Sequence, residues 1–169
     1  MGVKVSYDTK KDGFPDMIKR LEAVNGSAVE VGVLKGESKW LAGIHEWGCD
    51  IPVTKKMRKY LASKGLRLRK ETTHIHIPER SFLRAGFDDN QEAIREKAQK
   101  VLADVAAGKT TERGLCQAVG MVMASKIKDY ARDLQSPENH PFTVEQKGSS
   151  NPLVSTGDMI GGITWRIAK

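Results

Sequence analysis

Apolar and polar residues alternate with a period of two over residues 3–7, 28–33, 72–77 and 163–167. That period places successive side chains on opposite faces and predicts four strands. Pro78 follows the third of them and ends it, because proline cannot donate to a ladder. Phe142-Thr143-Val144 is a further candidate, a short strand.

The remaining apolar positions recur at helical spacing. Gly13 and Pro15 open a short helix with Phe14, Ile18 and Leu21 on one face, stopped by Asn25-Gly26. Ser38 is the candidate cap of a helix through Trp40, Leu41, Ile44 and Trp47, closed by Gly48. Met57, Tyr60 and Leu61 mark a short helix within a polar stretch, 50–71. The strongest stripes come later. Phe87, Ile94, Ala98, Val101, Leu102 and Val105 trace one, closed by Gly108. Leu115, Ala118, Val119, Val122, Ile127, Tyr130 and Leu134 trace a longer one, capped by Thr110 or Thr111 and ended by Ser136-Pro137. Gly148 to Asn151 reads as a turn-rich loop.

These elements show no internal repeat and no regular strand–helix–strand alternation. They predict an α+β fold: a mainly antiparallel sheet of about four strands, with two long helices packed on one face. The length of 169 residues suits a single domain, 1–169, carrying an insertion at about 50–71. Phe82, Leu83, Val101, Leu102, Val119, Val122, Ile127 and Trp165 are the expected core.

Composition changes this picture at one place. The formal net charge is +7, and Lys55, Lys56, Arg58, Lys59, Lys64, Arg67, Arg69 and Lys70 fall within sixteen positions that hold no acidic residue. Subtracting those eight charges from +7 leaves the rest of the chain at −1. The eight are candidate contacts for DNA phosphates or for an acidic protein partner, the plain alternative being a solvated surface. Tyr60 alone accompanies them as an aromatic, so stacking on single strands has little support.

Cys49 and Cys116 supply no disulfide framework, and the polar start of the chain carries no signal-peptide core. No apolar run reaches the ~18 residues that span a bilayer. The expectation is a protein made in the cytoplasm, with no membrane association.

Catalytic chemistry finds few candidates. His45-Glu46 begins like the zinc-protease pattern, but Cys49 stands where the second histidine belongs. With His74 and His76 these residues have suitable ligand types for zinc, yet closeness in sequence does not assemble a site. The plain reading makes the histidines strand-surface residues and Cys49 a loop residue. Cys116 lies beside an apolar stripe without an activating base. No glycine-rich phosphate loop is present. The expectation is no enzyme, no metal and no cofactor.

Three segments, in order, resemble the virion-morphogenesis proteins of tailed bacteriophages, a group that overlaps the tail-completion, minor tail protein Z and neck families. The first is Val31-Gly32-Val33 followed by Ala42-Gly43-Ile44-His45-Glu46-Trp47-Gly48. The second is Ile77-Pro78-Glu79-Arg80-Ser81-Phe82-Leu83-Arg84. The third is Pro152-Leu153-Val154-Ser155-Thr156-Gly157-Asp158-Met159 with a closing strand. Each is weak alone; order and spacing make the set more specific. The basic segment lengthens the gap between the first two, a departure from the family pattern.

The resemblance implies a structural protein that completes the tail end and joins head to tail. It implies a homo-oligomeric ring, most often of six subunits, around the DNA channel in the virion. The implied partners are other neck, connector and tail proteins, with non-specific contact to DNA. Glu46, Trp47, Gly48, Ile77, Pro78, Arg80, Phe82, Leu83, Thr156 and Gly157 carry the motifs, and their expected role is structural. The runner-up reading is a DNA-binding accessory protein using 55–70.

Overall fold

The computed structural model describes residues 13–168, so the strand expected at 3–7 lies outside the described residues. The elements run α1 (Phe14–Val24), β1 (Ala28–Val33), α2 (Ser38–Trp47), β2 (Cys49–Pro52), α3 (Lys55–Ser63) and β3 (His74–Ile77). They continue with α4 (Leu83–Asp88), α5 (Gln91–Ala106), α6 (Glu112–Asp133), α7 (Pro141–Lys147), α8 (Asp158–Gly161) and β4 (Ile163–Ala168). The fold is α+β, and among the described residues it has four antiparallel strands, divided between two ribbons: β1 with β4, and β2 with β3.

The first ribbon carries the core. Its register sets Val29 opposite Ile167, Val31 opposite Trp165 and Val33 opposite Ile163, which puts the apolar residues on one face. Helix α6 lies across that face, and α5 packs on α6. Gly120 makes the close approach of α6 feasible, since a Cβ there would fall 2.6 Å from Cδ2 of Trp165. Ala124, Ile127 and Ala131 of α6 join Val33, Ile163 and the fully buried Phe82 in the central cluster. On the opposite face Glu30 and Arg166, directly paired in register, form an ion pair at 2.6 Å.

The second ribbon roots an arm. Strands β2 and β3 are antiparallel, Cys49 opposite Ile77 and Asp50 opposite His76, and α3 with the 64–73 loop closes the far end. Thr54 caps α3 by accepting from the amide of Met57 at 3.1 Å. The pairing of β2 with β3 is the arm's main packing, and the body contributes little to it.

Several expectations change. Residues 142–144 belong to α7, not to a strand: Pro141 occupies the first turn and His140 Nδ1 accepts from the amide of Phe142 at 3.2 Å. A three-residue window is too short to separate the two periods. Ser38 is the first residue of α2 and not its cap, which is Glu37 without a side-chain bond. The stripe from Phe87 to Val105 is broken between α4 and α5. Thr111 is the α6 cap, accepting from Gly114 at 3.2 Å. Of the expected core, Phe82 and Ile127 are buried, while Leu83, Val101, Val119, Val122 and Trp165 are half-buried. Leu102 is exposed, because α5 turns Ile94 and Val105 inward instead.

Candidate functional site

The first two motifs meet at a buried carboxylate. Glu46, on the inner face of α2, is 3% exposed although ionisable. Its Oε1 accepts from Ser81 Oγ at 3.0 Å, from the Arg84 amide at 3.1 Å and from Arg84 Nε at 3.0 Å. Its Oε2 accepts from the Leu83 amide at 2.8 Å. A carboxylate of this kind satisfies amides at the start of α4, which has no side-chain cap of its own. Phe82, between the bonded residues, is thereby held in the core with no exposed surface.

Arg84 completes the joint from outside. Its guanidinium lies 3.8 Å from the ring centroid of Trp47 and also bonds Glu79 Oε1 at 2.6 Å. The hydrogen bond to Glu46, above all, raises the Arg84 pKa further. Gly48 then turns the chain with φ 68°, where a Cβ would fall 2.8 Å from both Glu79 N and Ile77 O. The Arg80 amide donates to the His45 carbonyl at 2.7 Å. Glu46, Trp47, Gly48, Ile77, Pro78, Arg80, Phe82 and Leu83 thus form one joint.

A second cluster adjoins it. Arg80 is 4% exposed and has no carboxylate partner among the described residues. Its Nε donates to the Pro137 carbonyl at 2.7 Å, and its Nη2 to the Glu138 carbonyl at 2.9 Å and to Asn139 Oδ1 at 3.2 Å. His45 Nδ1 stands 3.4 Å from Arg80 Nη1. Burial first, then the charges of Arg80 and Lys147, push the His45 pKa down to about 4. Lys147 Nζ donates to the carbonyls of Asn151 and Pro152, both at 3.1 Å, and burial lowers its pKa. Neutral acceptors hold both cations, so the cluster is a brace for the α6–α7 connection.

The sequence reading missed this brace. Lys147 and Asn139 lie outside all three motifs, and Asn151 falls at the end of the turn-rich 148–151 stretch. Asn151 Oδ1 accepts from the amides of Leu153 and Val154 at 2.9 and 3.1 Å, and its Nδ2 donates to the Arg132 carbonyl at 2.6 Å. An asparagine before Pro152 is a turn signal, and that was the one available clue.

In the third motif, Thr156 Oγ1 donates to Asp158 Oδ2 at 2.7 Å, and Gly157 takes the left-handed φ of 88° that starts α8. Leu153, Met159 and Ile160 are buried, and the 155–158 turn borders a groove of about 340 Å³ beside Trp40 and Leu41. The other side of Trp40 faces a shallow groove of about 630 Å³, lined by Gly43, Ile44, Trp47 and Cys49 among others. Trp40 and Trp47 are 73% and 65% exposed, and with Ile44 they share one face of α2.

The basic residues all lie on the arm. Arg58 is part of its construction: Nη1 donates to the Arg69 carbonyl and Nη2 to the Thr72 carbonyl, each at 2.7 Å. Lys55, Lys56, Lys59, Lys64, Arg67, Arg69 and Lys70 are exposed and pair with no carboxylate among the described residues.

The zinc-type residues are not brought together. His76 Nδ1 bonds Asp50 at 2.8 Å, His74 bonds Thr73, and His45 faces Arg80. No group of three or more His, Cys, Asp or Glu is placed to hold a metal among the described residues. Cys116 is buried and its thiol pKa is raised, by burial first and then by Glu112. No helix among the described residues is long and apolar enough to cross a membrane.

Compared with known protein families, characterised proteins and solved structures, the chain matches none.

Proposed function

We propose that this chain is a structural component of a tailed-phage virion that completes the tail end and joins it to the head. The reading makes it a homo-oligomeric ring, a hexamer, around the DNA channel at the head–tail junction. It assigns neighbouring neck, connector and tail proteins as partners and gives the chain no catalytic role and no cofactor.

One observation carries the reading. Residues 45–48 and 77–84, two separate stretches that each resemble a phage motif, meet at the Glu46 carboxylate and the Gly48–Glu79 contact. Buried side chains spent on bracing one joint, with two tryptophans left outside it, suit a part whose work is docking. The test uses a phage carrying this gene with the gene deleted. DNA-filled heads and free tails should accumulate unjoined, and supply of the protein should restore joined particles. A normal yield of joined particles from the deletion would overturn the reading.

The second reading, a DNA-binding accessory protein, is favoured by the seven exposed, unpaired cations of the arm. It requires duplex retention that falls steeply with rising salt.

A further inference from the structure

Strand β4 has one rim in the ladder with β1, and its other rim is in no ladder among the described residues. No backbone hydrogen bond from another element reaches 163–168 among those residues. The register with β1 runs unbroken and the strand holds no proline, so β4 lacks the bulge or proline that commonly blunts an edge.

A groove of about 370 Å³ follows that rim. Ile163, Thr164 and Trp165 line it together. Successive strand side chains point to opposite faces, so a groove that meets all three takes in the rim of the strand and not one face. Val31, Gly32 and Val33 stand opposite these three in the ladder and do not line it, so the rim is the free one. Helix α6 forms the facing wall with Met121, Ser125, Lys128 and Arg132, whose spacing puts them on one side of the helix. Met121 is 62% exposed there. An open rim beside such a wall is the shape that receives an added strand.

We infer that residues 3–7 of a neighbouring copy enter this groove and extend β4 as an antiparallel strand. Val3, Val5 and Tyr7 alternate with Lys4 and Ser6, which is a strand pattern. The pairing sets the three apolar side chains toward α6, on the face that Ile163 and Trp165 already present to the core. Lys4 and Ser6 then share the outer face with the exposed Thr164. Charge sets the direction. Trp165 lies against Gly120, and from there the groove follows α6 to Arg132 while it follows β4 back to Ile163. Lys128 and Arg132 therefore stand at the Ile163 end. An antiparallel strand brings Tyr7 to that end and Asp8 to the two cations. Arg132 has an exposed partner in Asp129 at 3.1 Å, and Lys128 pairs with no carboxylate among the described residues.

Position decides for a neighbour over the same chain. Met121 and Tyr130 are nine residues apart, about 180° round α6. The Tyr130 flank is taken by α4, where a Cβ on Gly86 would fall 3.2 Å from Tyr130 Cβ. Helix α5 continues from α4 and carries α1, with Arg20 bonded to the Ala106 carbonyl at 2.8 Å. No residue of α1 or α5 lines the groove. Residues 8–12 join the 3–7 segment to Gly13, a link of at most ~17 Å, and it would have to pass round α6 to reach its own β4. A segment handed to the next copy makes a heterologous contact, the kind that closes rings. The contact deepens the ring reading and rests on it for closure.

The test is a cross-link in the purified full chain. Two variants share a Cys49→Ser, Cys116→Ala background; one carries Ser6→Cys and the other, tagged, Thr164→Cys. Circular dichroism checks that each is folded. A short bismaleimide should link unlike chains in the mixture, at least about tenfold above either variant alone. Val5→Pro in the Ser6→Cys copy removes a ladder donor and should cut the yield at least about tenfold. A chain carrying both cysteines separates the two sources of the strand. Linked multimers are expected from it; a link confined within the chain would overturn the inference and put 3–7 on its own sheet. No link between unlike chains, or a yield indifferent to Val5→Pro, would overturn it as well. The phage deletion decides the head–tail reading independently, because unjoined heads and tails do not depend on where residue 6 lies.

Discussion

Glu46 Oε1 accepts from both the amide and the Nε of Arg84, at 3.1 and 3.0 Å, so one carboxylate oxygen fixes the backbone and the side chain of the same residue. Replacing Glu46 with Ala leaves Ser81 Oγ and the Leu83 amide without their partner. The expected cost is about 3–5 kcal/mol, read as a fall in the urea midpoint. Glu46→Gln keeps the shape but turns a donor toward donors, and should cost about half as much. An Ala variant of unchanged midpoint would remove the joint from the account of stability.

Arg80 reaches three acceptors through the fork of its guanidinium, Pro137 O, Glu138 O and Asn139 Oδ1. A lysine has no fork and cannot meet them together. Arg80→Lys should therefore cost about 2 kcal/mol, and amide exchange at 138–148 should speed up more than exchange in α6. Uniform protection in the variant would refute the brace.

His45 gives a pH dependence with a fixed sign. Its folded pKa of about 4 lies below its ordinary value of 6.5, so between these two values the unfolded chain binds more protons than the folded one. The stability tied to the neutral ring is complete above about pH 6.5 and is lost as the pH falls toward 4. With screening of a partly exposed ring, the loss should be on the order of 2 kcal/mol. His45→Asn should flatten the wild-type fall in urea midpoint across that window, while the carboxylate contribution remains in both proteins. Parallel curves for the two would refute the assignment.

Gly120 faces the indole of Trp165, where a Cβ would fall 2.6 to 2.8 Å from three ring atoms. Alanine gains about 1 kcal/mol of helix propensity but forces the ring aside, at about 1–3 kcal/mol. Gly120→Ala should be destabilising on balance. Fluorescence of Trp165, with Trp40 and Trp47 changed to Phe, should shift to the red as the ring moves outward.

Strands β1 and β4 and helices α1, α2, α5 and α6 were legible in the sequence, because each repeats its period over two turns or three strand pairs. The strand β2 was not. Asp50 and Pro52 are poor strand formers, and the segment is a strand only through its ladder with His74–Ile77. The motif residues were legible as a set, but their meeting was not. Residues 46 and 84 lie 38 positions apart, and no periodic pattern encodes a contact of that range. The Arg80–Lys147 brace was hidden for the same reason.

Gly48 and Glu79 touch, so the two ends of the arm leave and re-enter the body at a single point. Chain inserted between neighbouring points costs the core little, because the closure is already made and longer loops add entropy only slowly. The joint therefore works like a socket. Its contents can lengthen, shorten or be exchanged while Glu46, Phe82 and Arg84 hold the body unchanged, so descendants of one fold can acquire new partners at this position without refolding around them.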